Sequence, residues 1–178
     1  MNITVFCSAY SLDDRYAAPA AEFARLLGAG GHTLVWGGSN AGLMGLLADE
    51  VKAAGGKLVG VMVELLAHKG YPGADELVMT GDLAERKAEL LARADAVVVL
   101  VGGLGTLDEI TEVLELKKHN LHGKPIVVLD TEGFWTGLRV QLERMDTEGF
   151  LPRPLDELIT FVQTPAEVFA LLDSHQNS

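Results

Sequence analysis

The feature that most constrains this chain is the alternation of short apolar runs with stretches of helical periodicity. The runs Ile3–Cys7, Thr33–Trp36, Lys57–Val63, Leu77–Thr80, Ala96–Leu100, Pro125–Leu129 and Leu158–Val162 read as strands. Two of them, Ala96–Leu100 and Ile126–Leu129, are almost unbroken in apolar character. A strand of that kind must be covered on both faces, which is the condition of a parallel sheet. Helices are expected near Ala18–Leu27, Ala41–Ala54, Leu83–Ala94, Leu107–Asn120, Trp135–Glu148 and Ala166–Leu172. Pro19 is expected near the start of the first, where its missing N–H costs least, and Pro165 opens the last by the same logic. The reading is an α/β fold: a single domain over residues 1–178, with a doubly wound, mostly parallel sheet and helices on both faces. The segment His68–Asp75, with Gly70, Pro72 and Gly73, is expected as a loop insertion.

Composition narrows the class of function. The chain has 178 residues, about one domain's worth, with 48% hydrophobic and 22% charged residues. Its longest clean apolar run, Ala96–Val101, is far short of the roughly 20 residues a spanning helix needs, so no membrane partner is expected. Met1–Cys7 has no basic region before its apolar stretch and reads as a strand, not a signal peptide; a cytoplasmic location is the expectation. The net charge of −11 argues against a nucleic-acid polymer as partner. The single cysteine, Cys7, excludes an internal disulfide and a cysteine-cluster metal site.

In open α/β sheets ligands bind beyond the carboxyl ends of the strands, so the turns there carry the function. The first turn reads Ser8-Ala9-Tyr10-Ser11, without the glycines of a dinucleotide fingerprint, and argues against a conventional NAD site. Ser8 remains a hydroxyl that can meet a ligand or shape the turn. After Trp36 comes Gly37-Gly38-Ser39-Asn40-Ala41-Gly42-Leu43-Met44-Gly45, leading into a helix. The spacing opens like a P-loop, but Leu43 and Met44 stand where lysine and a hydroxyl residue are needed, so nucleotide triphosphate hydrolysis is not supported. Backbone contact to a phosphate and a simple tight turn both fit this loop.

The fifth strand ends in a second glycine turn, Val101-Gly102-Gly103-Leu104-Gly105-Thr106-Leu107-Asp108-Glu109. Thr106 and Glu109 have the spacing of a capping box, and Asp108 complements a helix dipole; the same groups fit an anion-binding helix start carrying carboxylates. Upstream, Asp82 and Glu85 are placed as N-cap and N3 of a helix bearing Arg86 and Lys87. Two cations early in a helix oppose its dipole, unless an external anion or an Asp82–Arg86 pair compensates. His119 and His122 lack a third partner at metal-site spacing, and no metal is expected.

Arg86-Lys87 followed by the run Gly102 to Glu109 resembles the Arg-Lys…PGGxGTxxE signature of the Lonely Guy (LOG) family, often labelled lysine decarboxylase-like. Gly37-Gly38 through Gly42-Leu43-Met44-Gly45 resembles the first glycine loop of that family, and Phe6-Cys7-Ser8 its opening strand. The resemblance runs from about Ile3 to Leu151. Val101 departs from it where the family has proline, as do Leu83 and Ala84 where Met-His is usual, and Val63 where many members have proline.

The resemblance implies a modified Rossmann-like fold and cleavage of the N-glycosidic bond of a purine or cytokinin-type nucleoside 5′-monophosphate. The products would be free base and ribose 5-phosphate, with AMP-like substrates, no cofactor and no metal. It implies Glu109 as the carboxylate facing the positive charge that builds at the anomeric carbon, and Arg86 as a catalytic or phosphate-orienting cation. Phosphate would be gripped by Gly102, Gly103, Leu104, Gly105 and Thr106, with Gly37, Gly38, Ser39, Lys87 and Ser8 nearby. It also implies a homodimer. The rivals are a non-catalytic nucleotide carrier, similar to molybdenum-cofactor carriers, and a scaffold in which the glycine turns are pure geometry.

Overall fold

The computed structural model describes residues 1–176. Its frame is a seven-stranded sheet in the order β4-β3-β2-β1-β5-β6-β7, with all six pairings parallel. The strands are β1 (Asn2–Phe6), β2 (Thr33–Trp36), β3 (Lys57–Val63), β4 (Glu76–Thr80), β5 (Ala96–Val99), β6 (Ile126–Leu129) and β7 (Thr160–Val162). The principal helices are α1 (Asp14–Ala29), α2 (Gly42–Ala53), α3 (Leu83–Arg93), α4 (Leu104–Lys118), α5 (Thr136–Thr147), a single turn α6 (Leu155–Leu158) and α7 (Pro165–Gln176).

Burial on both faces explains the apolar runs. Along β5, Ala96 and Val98 join one core with Phe23 and Leu27 of α1, Leu47 and Val51 of α2, and Leu172 of α7. Val97 and Val99 point the other way, into a second core with Leu90 of α3, Ile110 of α4 and Leu142 of α5. Successive side chains of a strand alternate between faces, so only a continuous apolar run satisfies both helical layers.

Strand order reverses between β1 and β5, which lie side by side and lead outward to β2 and β6. Such a switch point opens a crevice above the carboxyl ends of the two central strands. The segments Cys7–Tyr10 and Gly102–Thr106 emerge there.

Several sequence expectations are corrected. The first helix starts at Asp14, four residues earlier than expected, with the Asp13 side chain accepting from the Arg15 N–H. Pro19 therefore lies in its second turn, and the Arg15 carbonyl that loses its donor belongs to an exposed residue. Leu158 closes α6 and does not begin β7. His68 and Lys69 belong to a 3-10 turn, Glu64–Lys69, with only Gly70–Asp75 left as loop. That loop is tied back by the Asn40 N–H donating to the Lys69 carbonyl at 2.8 Å and the Tyr71 N–H donating to the Gly38 carbonyl at 2.8 Å.

Candidate active site

Helix α4 begins at Leu104, not at Leu107, and Gly103 is its N-cap without a side-chain cap. The capping-box reading of Thr106 and Glu109 is thereby overturned: Thr106 is the third helical residue and Glu109 lies one turn further in. The helix starts early because Gly103 accepts the first helical bond, from the Leu107 N–H at 3.0 Å. The N–H groups of Leu104, Gly105 and Thr106 precede that bond and have no intrahelical partner. Gly103, Leu104 and Gly105 are exposed, so this helix start faces solvent with its donors available to an anion.

The other glycine turn behaves differently. Three of its donors are engaged within the protein: the Ala41 N–H by Ser39 Oγ at 3.1 Å, the Leu43 N–H by the Tyr10 carbonyl at 3.1 Å, and the Asn40 N–H by the Lys69 carbonyl. Gly38 takes a φ of +72°, open to glycine but strained for other residues, and packs against Met62 and Gly60. Gly37 is required for a different reason. A Cβ there would collide with the guanidinium of Arg86.

Asp82 caps α3, accepting from the Glu85 N–H at 2.8 Å, while Glu85 reaches back to the Gly81 N–H at 2.7 Å. The Asp82–Arg86 pair considered from spacing does not form. Arg86 turns inward instead. Its Nε donates to the Val61 carbonyl at 3.0 Å and its NH1 to Glu109 Oε1 at 3.0 Å. Glu109 is 7% exposed. Burial pushes its carboxyl above the ordinary value of 4.5, and the adjacent Arg86 charge and hydrogen bond pull it back part of the way. Lys87 pairs with Asp108 at 2.9 Å and with Glu112, so two carboxylates compensate its charge.

These groups meet in one cleft with two lobes that share Ala9, Tyr10, Met44 and Arg86. One lobe, about 470 Å³, is lined by Cys7, Ser8, the Gly103–Thr106 turn and Glu109. The other, about 310 Å³, is largely apolar, with Met62, Val63, Leu66 and Leu83 on its walls beside Gly37, Ser39 and Lys69. Of the residues singled out from sequence, Glu109, Arg86, Ser8, Gly103, Leu104, Gly105, Thr106, Gly37 and Ser39 line the cleft, whereas Gly38, Gly102 and Lys87 are not on its walls.

Sequence reasoning missed Tyr10, which borders both lobes and is 79% exposed, and the apolar wall from the turn after β3. An aromatic immediately after the first strand was the available signal for Tyr10. Cys7 is buried at the floor; burial, first, and then the Glu109 charge hold its thiol far above its ordinary range, which disfavours the thiolate. His119 bonds Glu115 and His122 bonds the Val113 carbonyl, each away from the cleft.

A family model described as "Possible lysine decarboxylase" matches residues 44–172. The chain is 36% identical over 162 residues to a cytokinin riboside 5′-monophosphate phosphoribohydrolase of Mycobacterium marinum, covering 90% of this chain and 87% of that protein. It is 33% identical over 166 residues to one of Arabidopsis thaliana, covering 92% and 72%. In structure it resembles the molybdenum cofactor binding protein from Rippkaea orientalis, with a TM-score of 0.75 at 22% identity over 97% of this chain and 95% of that one. The molybdenum cofactor carrier protein from Chlamydomonas reinhardtii gives 0.72 at 21%, over 99% and 98%. At such identities these two likenesses establish the fold alone. With Arg86, the Gly103–Thr106 turn and Glu109 gathered in one cleft, a family model matched over most of its length and relatives above 30% identity, the chain belongs to the Lonely Guy family.

Proposed function

We propose that this protein hydrolyses the N-glycosidic bond of a nucleoside 5′-monophosphate, releasing the free base and ribose 5-phosphate. The observation that carries the reading is the buried Glu109–Arg86 pair facing the same lobe as the uncapped start of α4. A 5′-phosphate on the N–H groups of Leu104, Gly105 and Thr106 would set the ribose over Glu109, with the base in the apolar lobe. As the C–N bond breaks, its electron pair leaves with the base and positive charge develops at the anomeric carbon. The Glu109 carboxylate would stabilise that charge and orient the water whose oxygen bonds to the carbon. The water gives up one proton, and the leaving base takes one up. Arg86 keeps the carboxylate ionised and aimed.

The names of the mycobacterial and plant relatives support the same reaction class, and within it a cytokinin riboside monophosphate as one substrate. The carrier reading uses the glycine turn equally well but leaves the buried ion pair without a task. Chromatographic detection of free base from a panel of nucleoside 5′-monophosphates tests the proposal. Release from at least one supports it, and intact nucleotides throughout would refute it.

A further inference from the structure

Among the described residues, the walls of the two lobes carry a single aromatic side chain, and both lobes share it. That residue is Tyr10. Other rings of the protein are paired with one another: Tyr16 with Phe134, Phe134 with Trp135, and Trp36 with Tyr71. Among the described residues Tyr10 has no such ring partner and its hydroxyl no hydrogen bond, and the residue is largely exposed.

The main chain beneath this ring is fixed. The Tyr10 N–H donates to Ser8 Oγ at 3.0 Å, and its carbonyl accepts from the Leu43 N–H in the first turn of α2. Gly42, at a φ of +53°, permits that approach: a Cβ there would lie 2.3 Å from the Tyr10 carbonyl carbon. The ring is thus anchored at a set point and keeps only the rotations of its own side chain.

The anchor stands where the lobes join. With a phosphate at the Gly103–Thr106 turn and a base in the apolar lobe, the ring reaches the base from the ribose side. Of the other residues common to both lobes, Arg86 is committed to Glu109 and the Val61 carbonyl, and Ala9 and Met44 have no ring. A nucleobase presents a flat π face as well as an edge, and aromatic side chains hold bases by that face.

We propose that the Tyr10 ring stacks on the base of the bound nucleoside 5′-monophosphate and holds it in the apolar lobe. The proposal rests on the nucleotide-cleaving reading above and deepens it by naming the residue that binds the base. Stacking engages the face of a purine and not its edge, so it accepts a 6-amino group with or without an N6 substituent. It therefore serves the cytokinin riboside monophosphate considered above as well as AMP.

The test compares wild type with Tyr10→Phe and Tyr10→Ala. Kinetics are measured on AMP and N6-isopentenyl AMP. Calorimetric affinities for both nucleotides and for ribose 5-phosphate are measured with each protein also carrying Glu109→Gln, so that nucleotide is not consumed. Tyr10→Ala is expected to weaken both nucleotides by about tenfold or more and to leave ribose 5-phosphate, which has no base, unaffected. The kinetic loss should fall on KM more than on kcat, since stacking holds ground state and transition state alike. Tyr10→Phe should behave as wild type, and melting temperatures should not move, because the side chain is exposed.

Unchanged nucleotide affinity in Tyr10→Ala would overturn the proposal. So would an equal loss for ribose 5-phosphate, which would assign the residue to the sugar phosphate, or a Tyr10→Phe as impaired as Tyr10→Ala, which would assign the hydroxyl. If neither nucleotide is cleaved by the wild type, the hydrolytic reading fails by itself, and the three affinities still decide for or against Tyr10. Failure of both nucleotides to bind would overturn the stacking proposal as well.

Discussion

Arg86 NH1 lies 3.0 Å from Glu109 Oε1, joining the second turn of α3 to the second turn of α4 across 23 residues of sequence. Each side chain loses much of its hydration in this position, and the pair is held in register by a third contact, from Arg86 Nε to the Val61 carbonyl. Charges placed like this give little net stability, since desolvation offsets attraction, but they are costly to break singly. The arrangement sets a carboxylate beside its cation in a sheltered position, and on the proposed reading aims it at the substrate.

Glu109→Gln preserves the shape of the side chain and removes its charge. Because Glu109 is not a capping partner, the change is expected to leave the start of α4 intact, its stability cost being that of uncharging the partner of Arg86. Turnover is expected to fall by about a hundredfold or more, the usual scale for a lost electrostatic or acid–base group. AMP binding, measured by calorimetry, should persist, since the proposed phosphate donors lie on the backbone of Leu104 to Thr106. Wild-type turnover in this variant would remove Glu109 from the chemistry.

The acid limb of the pH–rate profile should report Glu109. Burial raises its pKa and Arg86 lowers it, so the limb in the wild type is expected above 4.5, with activity rising as the carboxylate ionises. In Arg86→Met the lowering influence is gone, and the limb should move to higher pH. The sign for stability is the reverse of the usual carboxylate case. A raised native pKa means the native state holds more protons than the unfolded one above pH 4.5, so Glu109's contribution to stability falls as pH rises through that window. Urea titrations of the two proteins across the same range would check it.

Arg86→Met is also expected to lower stability by about 1–3 kcal/mol, because it strands the Val61 carbonyl and leaves a buried carboxylate without its cation. A surface arginine paired with Asp82 would have cost under about 1 kcal/mol. Thermal unfolding separates the two outcomes.

Gly37→Ala tests the pair without touching either member. The added methyl would occupy space now held by the Arg86 guanidinium, which is fixed by two partners and cannot yield without breaking a contact. A loss of about tenfold or more in kcat, with KM for the nucleotide little changed, is expected. Equal kinetics for Gly37→Ala and wild type would show that the guanidinium position is not critical.

The phosphate should matter more than its distance from the reacting bond suggests. On the proposed reading a 5′-phosphate held at the open start of α4 would position the ribose, so adenosine and inosine should show kcat/KM values lower by about a hundredfold or more than their 5′-monophosphates. Parallel assays of nucleoside and nucleotide would measure this, and equal values would place the phosphate outside the site.

Layering and topology class were legible in the residues because they depend on local pattern. Unbroken apolar stretches such as Ala96–Leu100 exist only where helices cover both faces, and glycines after Trp36 and Val101 mark strand ends. The capping of α3 by Asp82 and Glu85 was readable for the same reason, being a matter of three-residue spacing. The partner of Arg86 was not. Asp82 lies four residues away and Glu109 twenty-three, and only the stacking of α3 and α4 on one face of the sheet brings the second within reach. Helix starts were misplaced where glycine or an extended preceding residue let the helix begin early, as at Leu104, which turned an apparent cap into a buried carboxylate. Local periodicity thus determined the elements and the position of the glycine turn after β5. The electrostatic pair, the division of the cleft into two lobes and the position of Tyr10 were decided by contacts between segments distant in sequence, whose energies no local pattern encodes.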